Sequence, residues 1–133
     1  MVKPLPLPYK LLSPGVGRLL VSVPHAGRRY DWHTRAGQQP IARLSAQRRG
    51  EDPFVDHLAM PLVRLGLPTL IQRAPRTIID VNRAPWEMAQ DTVVADPGRQ
   101  TSPPPPFRET PKARQGLGLV PTRLGGEHVY QFP

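Results

Sequence analysis

The sequence predicts an α/β domain, a mixed sheet with flanking helices, and three observations carry that expectation. Short runs rich in strand formers stand at 19–23, 69–73 and 77–81. Between the first and second, residues 53–65 space their apolar side chains as a helix does. The length, 133 residues, is that of a single domain.

Each element has a local reason. Residues 1–18 read as an extended lead-in punctuated by proline and glycine, with a turn at Ser13-Pro14-Gly15. Leu19 to Val23 forms a buried strand that Pro24 stops. From Ala26 to Gly50 the chain is polar and basic, a loop with a helical turn near 41–47. Asp52-Pro53 then looks like a helix start, the aspartate as N-cap and the proline at the first helical position. Phe54, Val55, Leu58, Ala59, Leu62 and Leu65 make one apolar face, Gly66 ends it, and Pro61 should kink or shorten the helix. Two strands follow, joined by Ala74-Pro75-Arg76. Residues 84–116 should be irregular and include the four prolines 103–106, and 116–121 is a further short apolar segment. Three strands and one helix cannot cover both faces of a sheet. Residues 1–133 therefore read as one domain that is incomplete, the N-terminal part of something larger.

Composition narrows the chemistry. Hydrophobic residues make up 38%, below the roughly 45–50% of an average domain, and the 19 prolines and 11 glycines call for long loops. With no cysteine, a disulfide scaffold, a thiolate metal site and a cysteine nucleophile are excluded. No run approaches the roughly 18 apolar residues of a membrane span. Pro4, Pro6 and Pro8 break any signal-peptide core, so a reducing cytoplasm is the expected location. Eighteen basic against ten acidic residues give a net charge of +8, which suits an anionic partner. The arginines are scattered, without a helix-length stripe or interleaved aromatics, so specific nucleic-acid binding is not expected.

Three segments carry candidate chemistry. His25 follows a buried strand, where open α/β sheets gather their ligands, and an imidazole there serves as zinc ligand, general base or turn cap. Glu51-Asp52 places two carboxylates at a helix start, where capping alone would explain Asp52 and metal ligation is the alternative. Asp80-Val81-Asn82-Arg83 ends another apolar run. Arg83 offers a planar fork for a carboxylate with Asn82 beside it, or else it pairs with Asp80 and caps the sheet. His33, His57 and His128 fall in a loop, on an exposed helix face and in a near-terminal loop.

Together Val23-Pro24-His25-Ala26-Gly27, Glu51-Asp52, the run from Arg76 to Arg83 and Gly118-Leu119-Val120-Pro121 resemble the N-formylglutamate amidohydrolase family. The resemblance covers about residues 19–126, and its specific parts are Pro-His-Ala-Gly and Asp-Val-Asn-Arg. It implies a carboxypeptidase-like zinc hydrolase fold and release of formate and glutamate from N-formyl-L-glutamate, a step of histidine degradation. By position, it implies His25 and Asp52 as zinc ligands, with Glu51 the alternative carboxylate, and Asn82 and Arg83 as the grip on a small acidic substrate. Family members are about twice as long. Their second half brings a further metal-binding histidine and an acid/base carboxylate that are not recognisable here, which makes inactivity of this short chain an expectation. The competing class is a non-catalytic basic binding module for an acidic partner.

Overall fold

The computed structural model describes residues 6–13, 15, 18–35, 39–88 and 109–130. Its main sheet has three strands, β1 (Tyr9–Leu12), β2 (Val21–Val23) and β3 (Thr69–Gln72), in the order β1-β3-β2. β3 pairs antiparallel with β1, Tyr9 opposite Gln72, and parallel with β2, Val23 opposite Ile71. The sheet is therefore mixed, as expected, but one of its strands is not the expected one. β1 lies in the supposed lead-in. Four residues between prolines make an edge strand, where proline is tolerated, and the Pro8 carbonyl prolongs the ladder by accepting from Arg73 N at 2.7 Å.

Residues 77–81, expected as a strand, form a turn and an irregular segment instead. Their backbone donors are spent locally and on the far end of the chain: Ile78 N donates to Pro75 O at 3.0 Å and Asp80 N to Leu119 O at 2.7 Å. Thr77 is fully buried, and its carbonyl accepts from the Tyr130 hydroxyl at 2.6 Å. No ladder partner remains for Ile78-Ile79, whatever their strand propensity.

α1 (Trp32–Arg35) and α2 (Leu44–Gln47) are single turns, and a 3₁₀ turn, Arg48–Gly50, continues α2. α3 (Val55–Arg64) is the one substantial helix, two residues shorter at its start than expected. Its N-cap is Phe54, in the left-handed region at φ 65° and without a side-chain cap bond, so Asp52 does not cap. Pro61 sits inside α3 and does not end it. Ala59 and Val55 pack on Val21, Val23, Ala26 and Ile71, which forms the first core. Phe54, Leu58 and Leu65 stand out of that core, exposed by 63%, 75% and 77%, so the apolar face is only partly used.

The expected irregular segment 84–116 contains one helical turn, α4 (Pro111–Arg114), capped by the Thr110 hydroxyl; the prolines at 103–106 lie outside the described residues. A small hairpin follows, β4 (Arg123–Leu124) and β5 (Glu127–His128), joined by Gly125-Gly126. Both glycines have positive φ, 56° and 84°, as a two-residue hairpin turn requires. Leu124, Val129 and Tyr130 form a second core with Leu117 and Val120. No helix among the described residues is long and apolar enough to cross a membrane.

Candidate metal and substrate site

β2 ends at Val23 and delivers His25 into a tight segment that lies against the end of β3. Gly27 makes this approach possible: a Cβ there would stand 1.9 Å from the Ala74 carbonyl oxygen. Arg29 N then donates to Arg73 O at 3.1 Å. The His25 ring is buried, with a carboxylate oxygen facing each of its nitrogens. Nδ1 lies 3.1 Å from Asp52 Oδ2 and Nε2 lies 2.9 Å from Asp80 Oδ1. Asp52 is brought up through its backbone as well, its N–H donating to the His25 carbonyl at 3.1 Å. The two residues expected to share an ion do meet, 27 positions apart in sequence. The Asp52 side chain stays 58% exposed, so its outer oxygen remains open to solvent.

Glu51 is engaged elsewhere. Its side chain, 7% exposed, accepts from the Tyr30 hydroxyl at 2.5 Å and pairs with Arg28 at 3.3 Å and Arg48 at 3.4 Å. Of the two adjacent carboxylates, only Asp52 faces His25.

Asp80 is the hub that the sequence reading did not connect to His25. It is fully buried and accepts at Oδ1 from His25 and from Asn82 N at 3.0 Å. At Oδ2 it accepts from Arg76 Nε at 2.8 Å and pairs with Arg76 Nη2 at 2.7 Å. Burial, the largest single influence, pushes its pKa up. The hydrogen bonds from His25 and Asn82 and the Arg76 charge outweigh that and hold the carboxyl below its ordinary range. The signal for it was the rule that singled out His25, a polar residue placed just after an apolar run.

Arg83 stands against the same hub, its Nε 3.6 Å from Asp80 Oδ2. That nitrogen is buried without a hydrogen bond, and the Arg83 charge also acts on Glu87, where it adds to the backbone hydrogen bond from Ala84 in holding that carboxyl below its ordinary range. The Asn82 side chain is exposed. Asn82 and Arg83 are thus gathered around the carboxylate that orients His25. His33, read as a loop residue, is instead buried in α1. Tyr130 donates to the Thr77 carbonyl, which leaves its oxygen to accept from His33 Nδ1 at 3.2 Å. Thr77 Oγ1 then donates to His33 Nε2 at 2.8 Å. This knot ties the turn that carries Arg76 and Asp80 to the C-terminal hairpin.

The donor set can be tested against a metal ion. A singly protonated imidazole donates from one nitrogen only. Asp80, buried, sits at the shorter distance from Nε2 and takes that hydrogen bond. Nδ1 is then left with a lone pair facing a carboxylate lone pair at 3.1 Å, a juxtaposition that a cation or a second proton resolves. Two zinc ligands at about 2.0–2.1 Å in a tetrahedron stand roughly 3.3 Å apart, close to the observed separation. A carboxylate behind the ligating histidine is the usual orienting arrangement. His25 and Asp52 fit two corners of a zinc site. Among the described residues no group of three or more histidine or acidic side chains completes it.

A family model described as N-formylglutamate amidohydrolase matches residues 17–133. Among solved structures, the N-formylglutamate amidohydrolase of Ralstonia eutropha JMP134 is similar, with 26% sequence identity and a TM-score of 0.74. The match covers 93% of this chain and 42% of that one, so the chain spans less than half the length of this relative. No curated protein sequence matches the chain.

Proposed function

The chain belongs to the N-formylglutamate amidohydrolase family, and from that premise we propose that it carries the metal-binding and substrate-anchoring half of a zinc-dependent deformylase site. The reaction is hydrolysis of N-formyl-L-glutamate to formate and L-glutamate, on a carboxypeptidase-like fold. The observation that supports this best is His25 held between two carboxylates, Asp80 behind it and Asp52 in front at 3.1 Å.

In this reading His25 and Asp52, whose Nδ1 and Oδ2 face each other at 3.1 Å, would hold the ion. A zinc ion held there would supply Lewis-acid polarisation of the formyl carbonyl and a lowered pKa for a bound water. Asp80 keeps the Nε2 proton on His25 and fixes the ring. Arg83, steered by its pairing with Asp80, presents Nη1 and Nη2 to a substrate carboxylate as a planar fork, with the exposed Asn82 amide beside it. The +8 charge draws an anionic substrate toward the chain. Among the described residues two ligands stand where catalytic zinc takes three, and in this reading such a pair binds the metal weakly and turns over little or no substrate.

Zinc titration by calorimetry tests the metal half. One weak equivalent is expected, with affinity reduced at least tenfold in both His25→Ala and Asp52→Asn; unchanged binding in both variants refutes the site. Binding of N-formyl-L-glutamate to the zinc-loaded chain tests the other half. An Arg–carboxylate contact contributes about 1.5–3 kcal/mol, so Arg83→Lys should weaken binding about 10- to 150-fold with zinc content intact. If zinc is lost as well, Arg83 supports the fold rather than the substrate.

A further inference from the structure

The face of the sheet that carries α3 also holds a groove of about 630 Å³ that the amidohydrolase reading leaves unused. That volume lies within the usual range of small-molecule sites, about 300–1,000 Å³. None of His25, Asp52, Asp80 and Arg83 lines it. Its floor is apolar, built by Leu12 from β1, Ile71 from β3, and Met60 and Val63 from α3. Its rim carries four cations, Lys10, Arg28, Arg29 and Arg73, with Asp56 and His57 of α3 beside Arg28 as the other titratable groups.

The rim charges are not equivalent. Arg28 is already flanked by two carboxylates, Glu51 at 3.3 Å and Asp56 at 3.8 Å, and Arg29 makes a two-pronged pair with Asp31. Among the described residues, neither Lys10 nor Arg73 meets a carboxylate. These two are placed to act together. Lys10 stands opposite Ile71, so Arg73, two positions further on, is its diagonal neighbour across the two strands on the same face. Diagonal neighbours lie about 7–8 Å apart, within reach of one shared anion for long side chains. Leu12 follows Lys10 by two residues along the same face, which leads from the cation pair onto the apolar floor.

We propose that this groove binds a small amphiphilic carboxylate, its anionic head between Lys10 and Arg73 and its apolar body along Leu12, Ile71 and Val63. A cation pair that meets no carboxylate among the described residues would by itself attract any anion. The adjoining apolar floor selects one with a hydrocarbon body, and the concave single groove suits a small molecule rather than a polyanion laid across a basic face.

Octanoate is the probe, titrated into the full chain and followed by methyl and amide NMR shifts. One saturable equivalent is expected, with the largest methyl shifts at Leu12, Val63 and Ile71. Inorganic phosphate, which lacks the apolar body, should bind at least tenfold more weakly. The double variant Lys10→Gln with Arg73→Gln should weaken octanoate at least tenfold, while Arg123→Gln on the distant hairpin leaves it unchanged. The methyl map of the unaltered chain keeps the test independent of whether the double variant folds. Absence of saturable binding, shifts confined to Tyr9 and Leu11 on the opposite face, or equal affinity for phosphate would each overturn the assignment.

Discussion

Replacing Asp80 by asparagine preserves shape and removes the one charge on which His25, Arg76 and Arg83 converge. The carboxylate is fully buried, and the two arginine side chains around it are 18% and 14% exposed. Breaking a buried ion pair by removing one partner costs about 3–5 kcal/mol. Because Arg76 and Arg83 each retain some water, the lower end applies, about 3 kcal/mol. For a domain whose total stability is about 5–15 kcal/mol, that is a large share, roughly a 150-fold change in the folded-to-unfolded ratio. With a urea m-value of about 1–3 kcal/mol/M, the midpoint should fall by about 1–3 M at unchanged m. Glu127→Gln is the control, since its pair with Arg49 is about half exposed on both sides and should cost less than about 1 kcal/mol. A second readout is the nitrogen spectrum of the His25 ring. Asparagine cannot present an acceptor to both His25 and Arg76, so the Nε2–H form loses its preference. A midpoint shift below about 0.3 M with an unchanged His25 spectrum would refute the hub.

Three further outcomes follow from the same geometry. The Asp80 carboxyl titrates below an unfolded aspartate, near 3.9, so its contribution is complete above that pH and fades as pH falls through the folded value; urea midpoints between pH 2 and 5 should lose this part of the acid limb in Asp80→Asn. Gly27→Ala would put a methyl 1.9 Å from the Ala74 oxygen, forcing the backbone apart at a cost of about 1–3 kcal/mol or more and exposing the Arg29 amide to hydrogen exchange. Tyr130→Phe strips a buried carbonyl and the His33 ring of a partner, worth about 1–3 kcal/mol in thermal unfolding. Burial raises the pKa of the Tyr130 hydroxyl, so the wild type keeps the tyrosine contribution below about pH 10 and loses it as pH climbs further; the variant should show a shallower alkaline limb.

What could be read in the sequence was whatever local pattern decides. β2, α3 and β3 announce themselves by apolar runs between proline and glycine, whereas the meeting of His25 with Asp52 was implied by the family resemblance and its metal chemistry, since helix-start logic alone made Asp52 a cap. β1 could not be read because its partner residues lie 57 to 63 positions away and its four residues carry no alternation long enough to register. Ile78-Ile79 misled for the opposite reason. Strand propensity is local, but Asp80 N is bonded to Leu119 and Thr77 O to Tyr130, and no window of sequence contains both ends. Asp52 looked like a cap because Asp-Pro is good capping chemistry. A left-handed Phe54 took the cap position and left the carboxylate to the histidine. The pairing of Arg83 with Asp80 was legible as an alternative; the bond from Asp80 to His25 was not.

The spans that close the site also set a timetable for its appearance. The His25–Asp80 contact joins residues 55 apart and the His33–Tyr130 contact residues 97 apart. Closing such loops costs entropy that grows with the logarithm of their length, and distant contacts of this kind slow folding. At a synthesis rate of about 5–20 residues per second, a nascent chain carries His25 for roughly 3–11 s before Asp80 has been made. The knot on Tyr130 follows later still. Through that interval the imidazole has no buried carboxylate to orient it, and the proposed metal site can be assembled only once the segment carrying Asp80 has docked.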